Sequence, residues 1–499
     1  MSKRTLQLNI IAFLILSFTL CAYLVQPIWD TDFWWHIASG KWIVDSLSIP
    51  NTDPFGVFPN TDPIRLNTVL HGQWLGQVAL FLCFDNLGTN GILALRAIII
   101  LACLALIYTR ANLLQSAKPV TLLYLGVAGI IALGFIGTRP QLLSFVFAAL
   151  TFLLVDKFRQ KGQYKLLVLL PVIAIIWANC HSGVILDALL LLMYSAYQFV
   201  ASYISAQTFS KDSVALVLTS LLFFVGSLIT PNGIDTYLYL LNLEGSQLQQ
   251  LTSEYTSSLK LYTLGFTYVQ AWIGMLLLVS VAGIIGLYPT HKGEAGISLF
   301  LLVISITYYR YLAFMIFISG PYICLGITKL LTKFGTTQNL LSPRVNNYTA
   351  LGVSIIALIS LLLGFINNSI FRGGVSPSAY PISAVAFIKN NNIGGRAFNF
   401  FRWGGYLIWH LQPNVKLYID GRMLDANRLP PYTHILWATP QGIQLFEQQQ
   451  FDLVILPWKT TYSGETYKLH QYLNSQPAWR LIYRDQAYGD YVYQRVRMR

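Results

Sequence analysis

Uninterrupted apolar runs of about 20 residues constrain this chain more than any other feature of its sequence. A helix rises about 1.5 Å per residue, so a run of this length crosses a hydrocarbon core about 30 Å thick. Only 11% of the 499 residues are charged, against roughly a quarter in soluble domains. We therefore predict a polytopic α-helical membrane protein. Eleven spans are predicted, at 7–26, 90–109, 118–136, 140–156, 164–179, 183–204, 213–230, 266–288, 294–308, 311–331 and 349–367.

The distribution of basic residues predicts the orientation of these spans. With the N-terminus in the cytoplasm, thirteen Lys and Arg residues fall in cytoplasmic segments and five in the opposite loops up to the last span. Positive residues stay on the cytoplasmic side, and an odd number of spans leaves the C-terminus outside. We therefore expect a multi-pass protein of a bacterial cytoplasmic (inner) membrane. Because its net charge of +13 is spread over short loops, no nucleic-acid partner is expected.

The pattern changes after the last span. From Ser369 onward, short apolar strands alternate with amphipathic stretches and Gly-rich or Asn-rich breaks. This pattern predicts a transmembrane domain over 1–368 and a soluble extracytoplasmic α/β domain over 369–499, long enough for a core of its own. Its predicted elements are a helix at 382–389 and strands near 397–401, 415–419, 453–456 and 481–484.

The first extracytoplasmic loop, 27–89, is long and acidic. It opens with Asp30-Thr-Asp-Phe-Trp-Trp-His36 and contains an apolar segment, 74–84, that is too short to cross comfortably, so we expect an interfacial helix there. Other polar residues fall on the same predicted side, which favours a shared extracytoplasmic cavity. These residues are His71, Arg139, Asn179, His181, Glu254 and Arg310.

The first loop also carries a resemblance to a known family. The Asp30-x-Asp32 pair after the first span, followed by an aromatic helix ending Gly40-Lys-Trp-Ile-Val, resembles the first loop of GT-C glycosyltransferases. It is most similar to the protein O-mannosyltransferase and aminoarabinose transferase group. The similarity continues through His71-Gly-Gln-Trp-Leu, Leu87-Gly88 and Leu93-Ala-Leu-Arg96, and covers about the first quarter of the chain. The Trp-Trp-His36, Trp177-Ala-Asn-x-His181 and Asp420-Gly-Arg422 elements are similar to a broad set of bacterial multi-span proteins.

The resemblance implies transfer of a sugar from a polyprenyl-phosphate-linked donor to an extracytoplasmic acceptor, which could be a lipid, a glycan or a protein. An acceptor hydroxyl needs a carboxylate within hydrogen-bond reach to take its proton, and a second carboxylate raises the pKa of the first. We expect Asp32 to be the catalytic base and Asp30 its catalytic neighbour. The alternative is that both aspartates cap the helix that follows.

His36 lies four residues after Asp32, so the two side chains would share a helix face. Together with Asp30 they could hold a divalent metal ion through oxygen and imidazole ligands. A divalent metal ion is the one cofactor that the residues suggest. In the superfamily that the first loop resembles, some members depend on a metal ion and others do not. The alternative is that His36, beside two tryptophans, binds substrate or anchors the helix at the membrane interface.

The remaining polar positions favour substrate binding. Arg139 and Arg310 lie at outer span ends, where a guanidinium can bind a lipid phosphate bidentately or extend to headgroups. His71, Asn179 and His181 could orient a sugar, or could only hydrogen-bond at helix ends. In the C-terminal region, Trp403-Gly-Gly-Tyr406 and Asp420-Gly-Arg422 lie at strand ends, where α/β sheets bind ligands, although turns and a local ion pair explain them equally well.

The leading hypothesis is therefore a polyprenyl-phosphate-dependent membrane glycosyltransferase with an aspartate base in the first loop. Two alternatives from other classes stay open. A transporter or flippase for a lipid-linked saccharide would need a polar path reaching both faces, and the sequence shows no clear internal repeat of the kind that many transporters have. A non-catalytic scaffold for envelope assembly would keep the fold without a substrate site.

Overall fold

The structure, a computed structural model, describes residues 3–56, 61–135, 137–243, 253–264, 267–334, 342–460 and 464–496. Residues 57–60 of the predicted first loop, and residues 136 and 266 at the edges of two predicted spans, lie outside the described residues.

The membrane body is a bundle of helices, and each of the eleven predicted spans overlaps a helix. The long helices are Lys3–Leu24, Trp74–Leu113, Lys118–Phe135, Gln141–Lys161, Leu169–Cys180, Val184–Ala206, Lys211–Ser227, Thr267–Leu287, Lys292–Thr307, Gly320–Lys333 and Pro343–Ile366. Within the described ranges, seven helical segments are long and apolar enough to cross a membrane, and two shorter apolar ones cover 118–133 and 164–180. The predicted fold class, a polytopic helical membrane protein, is confirmed; the number of crossings stays a prediction.

The interior of the bundle contains a buried ion pair. Arg110 Nε donates to Asp156 Oδ2 at 2.8 Å, and the Tyr322 hydroxyl donates to Asp156 Oδ1 at 2.8 Å. Arg110 also donates to the carbonyls of Phe317 and Ile318, which lie in a π-helical turn. Such a turn interrupts the regular i→i−4 pattern and leaves carbonyls available to other donors. The buried arginine therefore holds three helices together.

Short helices build the first loop above the bundle. They are Phe33–Ser46 and Pro63–His71, and the second begins with Pro63 after Asp62, whose side chain accepts a hydrogen bond from the Arg65 N–H. The predicted segment 74–84 is helical and forms the first part of Trp74–Leu113, and a break separates it from the part that contains the predicted span 90–109. Its place at the membrane interface stays a prediction. The break lies at Gly88, where φ is 61° and ψ is −159°, a conformation that only glycine adopts readily.

The C-terminal region folds around a five-stranded sheet. Its strands are β1 (Gly395–Asn399), β2 (Val415–Leu417), β3 (Leu453–Pro457), β4 (Trp479–Arg484) and β5 (Asp490–Arg495), in the order β2-β1-β3-β5-β4. Strands β1, β2 and β3 are parallel, whereas β5 is antiparallel to both of its neighbours. The sequence analysis missed β5. The helices of this region are Ile382–Asn390, Gly404–Leu411, Leu429–Leu436, Pro440–Gln448 and Lys468–Ser475.

The two faces of this sheet bury different partners. One face, with Phe398 and Val454, packs against the region's own helices. The other, with Ala397 and Ile455, shares a core with Trp34 and Trp35 of the first loop. The sheet therefore does not have a fully separate core, and it is fixed directly on the loop that carries the candidate aspartates.

Arg422 makes the main polar connection between the two regions. Its side chain is only 1% exposed and donates to Asp53 of the first loop at 2.6 and 3.2 Å. It also donates to Asp420 from Nε and Nη2, both at 2.8 Å. Two carboxylates hold its pKa well above its usual range, against the effect of burial.

We expect Arg422→Ala to destabilise the protein by about 3–5 kcal/mol, because it leaves two largely buried carboxylates without their counter-charge. Thermal unfolding in detergent would measure the change. Arg372→Ala, which removes an exposed arginine, is the matched control and should be nearly neutral. Equal melting temperatures for the two variants would contradict the expectation.

Candidate active site

Three carboxylates converge on Arg139 at one end of the bundle. Arg139 Nε lies 2.7 Å from Asp30 Oδ2, and its Nη1 lies 3.0 Å from Asp32 Oδ2 and 2.8 Å from Glu254 Oε1. Arg139 lies in the short connection between the helices Lys118–Phe135 and Gln141–Lys161. The aspartates follow the first helix, and Glu254 lies in the 3₁₀ turn Ser253–Tyr255. The structure therefore brings together three segments that are distant in sequence.

The aspartates do not act mainly as helix caps. Asp32 occupies the N-cap position of Phe33–Ser46, yet its carboxylate makes no capping hydrogen bond. Instead, Asp32 Oδ1 accepts from the Trp35 indole N–H at 3.1 Å, while Asp30 Oδ1 accepts from the Asp32 backbone N–H at 3.1 Å. Both carboxylates are aimed at Arg139, so the capping alternative does not explain their placement.

Burial and charge set the ionisation of this cluster. Burial raises the pKa of Asp32 to about 6; Arg139 opposes this rise, and Asp30 and Glu254 add to it. Arg139 holds the pKa of Glu254 below its usual value. One carboxylate is thus poised to exchange a proton near neutral pH, while its neighbour Glu254 stays charged.

His36 lies beside the cluster but is directed elsewhere. Its ring lies against Trp35, with centroids 3.5 Å apart and a tilt of 32° between the ring planes, and its Nδ1 lies 3.4 Å from Gln77 Nε2. Burial, Arg139 and His181 together hold the pKa of His36 well below its usual value. His36 is therefore a neutral imidazole at the edge of the site.

His181 approaches the cluster from the end of the helix Leu169–Cys180. Its Nδ1 accepts from the Gly183 backbone N–H at 2.9 Å and lies 2.9 Å from Ser144 Oγ. Burial and Arg310 lower the pKa of His181 to about 3. Because Nδ1 accepts hydrogen bonds, the network assigns the proton of this neutral ring to Nε2, which makes it a potential donor.

Arg310 supplies a second guanidinium. It lies over the Tyr255 ring, 4.7 Å from its centroid, next to Glu254 in sequence. It lowers the pKa of both Glu254 and His181, which places it beside them. Of the carboxylates that the structure describes, none forms a salt bridge with Arg310. This cation is thus available for an anion.

His71 and Asn179 have different neighbours. The His71 ring nitrogens lie 3.1 Å from Asn232 Oδ1 and from the Pro50 carbonyl oxygen. Asn179 accepts from the Trp74 indole at 2.7 Å and donates to the Ile229 carbonyl at 2.8 Å. The fold occupies both side chains with hydrogen bonds inside the protein, and a substrate-binding role for them stays an untested prediction.

Arg96 and Tyr380 position the backbone around Asp30. Arg96 donates to the carbonyls of Leu24 and Gln26, which fixes the chain as it leaves the first helix. The Tyr380 hydroxyl donates to the Asp30 carbonyl at 2.7 Å. The Leu93-Ala-Leu-Arg96 motif of the sequence therefore supports the aspartate loop without contacting the reacting groups.

Glu254 is the site residue whose role the sequence analysis missed. No motif surrounds Glu254, so the only indication in the sequence was that it falls on the same predicted side of the membrane as the aspartates. Within the described part of the chain, no three His, Cys, Asp or Glu side chains are arranged to hold a metal ion. Arg139 contacts Asp30 and Asp32 directly, and the metal predicted for those residues with His36 stays an untested prediction.

Comparison with known proteins gives no match to a family model and none to a curated protein sequence. Solved structures do match. The archaeal oligosaccharyltransferase AglB from Archaeoglobus fulgidus, in complex with an inhibitory peptide and a dolichol-phosphate, superposes with a TM-score of 0.54 at 12% identity. This match covers 91% of our chain and 69% of that chain.

The arabinofuranosyltransferase AftD from Mycobacteria superposes with a TM-score of 0.57 at 15% identity, over 99% of our chain. Our chain spans only 40% of the length of AftD. At these identities the likeness concerns the fold. The protein is thus a multi-pass membrane protein that shares the fold of these two enzymes, a helical membrane body followed by a small C-terminal sheet.

Proposed function

We propose that this chain is a membrane glycosyltransferase that transfers a sugar from a polyprenyl-phosphate carrier to an acceptor outside the cytoplasmic membrane. The observation that carries the proposal is the convergence of Asp30, Asp32 and Glu254 on Arg139, beside the available cation Arg310. Glycosyl transfer needs a base for the acceptor, negative charge near an oxocarbenium-like sugar, and positive charge for a leaving phosphate. The cluster offers all three.

In this mechanism Asp32 takes the proton of the acceptor hydroxyl. The acceptor oxygen then forms a bond to the anomeric carbon, and the bond between that carbon and the phosphate oxygen breaks. The electron pair of the broken bond leaves with polyprenyl phosphate, which Arg310 binds through its guanidinium. Glu254, whose pKa Arg139 holds below its usual value, stays ionised and stabilises the positive charge that develops on the sugar ring.

The solved relatives support the choice of donor. AglB was solved with an inhibitory peptide and a dolichol-phosphate, so a protein of this fold binds a lipid phosphate together with a peptide. We extend this ligand class to our chain and propose that the site lies on the extracytoplasmic face. The basic-residue distribution supports this orientation. The resemblance of the first loop to the protein O-mannosyltransferase and aminoarabinose transferase group is part of the same proposal.

A donor panel tests the proposal directly. The full chain, in lipid nanodiscs, would be incubated with polyprenyl-phosphate-linked hexoses and pentoses, and released polyprenyl phosphate would be measured by mass spectrometry. We expect release from at least one donor. Movement of the intact donor to the other leaflet of a vesicle, without release, would favour a flippase; neither release nor movement would favour a scaffold.

Arg310→Gln should weaken binding of polyprenyl phosphate roughly 10- to 100-fold, the loss expected for a charge-assisted hydrogen bond. Binding would be titrated in nanodiscs by native mass spectrometry. Arg344→Gln changes an exposed arginine at the start of the last long helix and should leave the affinity unchanged. Equal weakening by both variants would indicate general attraction to lipid phosphate and contradict a specific site.

A further inference from the structure

The Asp420-Gly421-Arg422 turn of the C-terminal sheet lies directly on the candidate base. A Cβ atom placed on Gly421 would be 2.5 Å from Asp32 Oδ1 and 3.3 Å from Trp35 Nε1. Asp32 Oδ1 is the same oxygen that accepts the Trp35 indole hydrogen bond. The other carboxylate oxygen, Oδ2, faces Arg139. Asp32 is therefore enclosed between Arg139 on one side and Gly421 with Trp35 on the other.

The turn itself is held from two directions. Arg422 donates to Asp420 within the turn and to Asp53 of the first loop, with N–O distances of 2.6–3.2 Å. Arg65, also from the first loop, donates to the carbonyls of Arg422 and Met423. Because the bonds of Asp53 and Arg65 join residues more than 350 positions apart, they fix the turn relative to the aspartate loop and not only within its own sheet.

The start of the helix Gly404–Leu411 also brings the C-terminal region close to the aspartate loop. A Cβ atom on Gly405 would be 2.9 Å from the Thr31 carbonyl oxygen and 3.1 Å from the Trp35 backbone nitrogen. A Cβ atom on the neighbouring Gly404 would be 2.5 Å from Asp420 Cα. The two glycine motifs of the C-terminal region thus pack on each other and on the backbone that carries Asp32.

We propose that the Asp420-Gly421-Arg422 turn is a positioning element that fixes the Asp32 carboxylate against Arg139. Asp32 is called catalytic on the basis of the function proposed above, whereas the positioning contact is a property of the fold. The turn does not take part in the chemistry. It restricts the orientation of the Asp32 carboxylate, as neighbouring residues do when they hold a reacting group in productive geometry.

The geometry makes Gly421 a selective test position. Its φ is not in the left-handed region, so alanine is compatible with the backbone. The atom that the new methyl group meets is the end of a side chain, which can rotate away without moving the backbone. Gly421→Ala should therefore leave the fold intact and displace the carboxylate. At Gly405 the same change would press on backbone atoms and disturb the fold.

Trp35 provides a readout that needs no substrate. The full chain would be labelled with 5-fluorotryptophan and placed in nanodiscs, and the Trp35 fluorine resonance would be assigned with Trp35→Phe. Asp32→Asn should move this resonance, which validates it as a reporter of the carboxylate contact. Gly421→Ala should also move it, and should move it less in the Asp32→Asn background, where only the direct contact of the new methyl group with the Trp35 indole remains. An equal shift in both backgrounds would indicate only that direct contact and overturn the proposal. Gly296→Ala, at a position with open space around its Cβ, should leave the resonance in place.

A Trp35 resonance that stays at its wild-type position in folded Gly421→Ala would overturn the proposal. If that variant does not fold, Asp53→Asn tests the same point by loosening Arg422, with the exposed Asp45→Asn as control. Where donor release is detected, Gly421→Ala should lower kcat about 100-fold with little change in KM, as expected for a displaced catalytic group. Absence of donor release would refute the proposed function and leave the fluorine result intact.

Discussion

Replacing Arg139 with alanine is expected to abolish donor release and to destabilise the protein by about 3–5 kcal/mol, because three carboxylates lose their shared counter-charge in a poorly solvated site. Asp30, Asp32 and Glu254 all lie within 3.0 Å of this one guanidinium. Without Arg139, repulsion among the carboxylates raises the pKa of Asp32 further and displaces its side chain. Thermal unfolding and the donor assay would measure the two effects separately.

The variant Arg139→Lys separates charge from geometry. A single ammonium keeps the positive charge but cannot reproduce the fork that contacts three carboxylates at once. We expect it to recover much of the stability and little of the activity. Lys41→Ala, at an exposed pair with Asp45, is the control and should change neither quantity. Full activity in Arg139→Lys would show that the cluster needs only charge.

Asp32→Asn is expected to lower kcat by a factor of about 100 to 10,000, the usual contribution of a general base. The amide keeps the shape and can still accept from Trp35, so the fold should remain intact. The exposed Asp45→Asn, on the same helix, is the matched control. Wild-type rates in Asp32→Asn would eliminate Asp32 as the base.

The wild-type pH profile should reflect the same carboxylate. The pKa of Asp32 is raised to about 6, mainly by burial, and the base is active only when ionised. The rate should therefore rise with pH, pass half its maximum near pH 6 and level off above about pH 7. Asp30→Asn removes a negative charge that raises this pKa, so the acidic limb should move to lower pH. An unmoved limb would assign it to another group.

The sequence by itself determined the membrane body, because the length and polarity of a span are fixed by the bilayer and can be read locally. It also predicted four of the strands and the helix at 382–389, whose patterns are local. The fifth strand was missed because Asp490–Arg495 is half polar and gains its place only by pairing with β3 and β4.

The candidate site was only partly readable from the sequence. The aspartate pair could be recognised from its motif and from its predicted side of the membrane. Its partner Arg139, however, lies 109 residues after Asp30 in the sequence. Glu254 has no motif, and the contact of Gly421 with Asp32 joins opposite ends of the chain. His71 and Asn179 carried the same sequence signal as Arg139, yet loop packing occupies them with hydrogen bonds. Tertiary structure decided these points, since side-chain contacts between distant segments depend on how helices and loops pack and not on any local pattern.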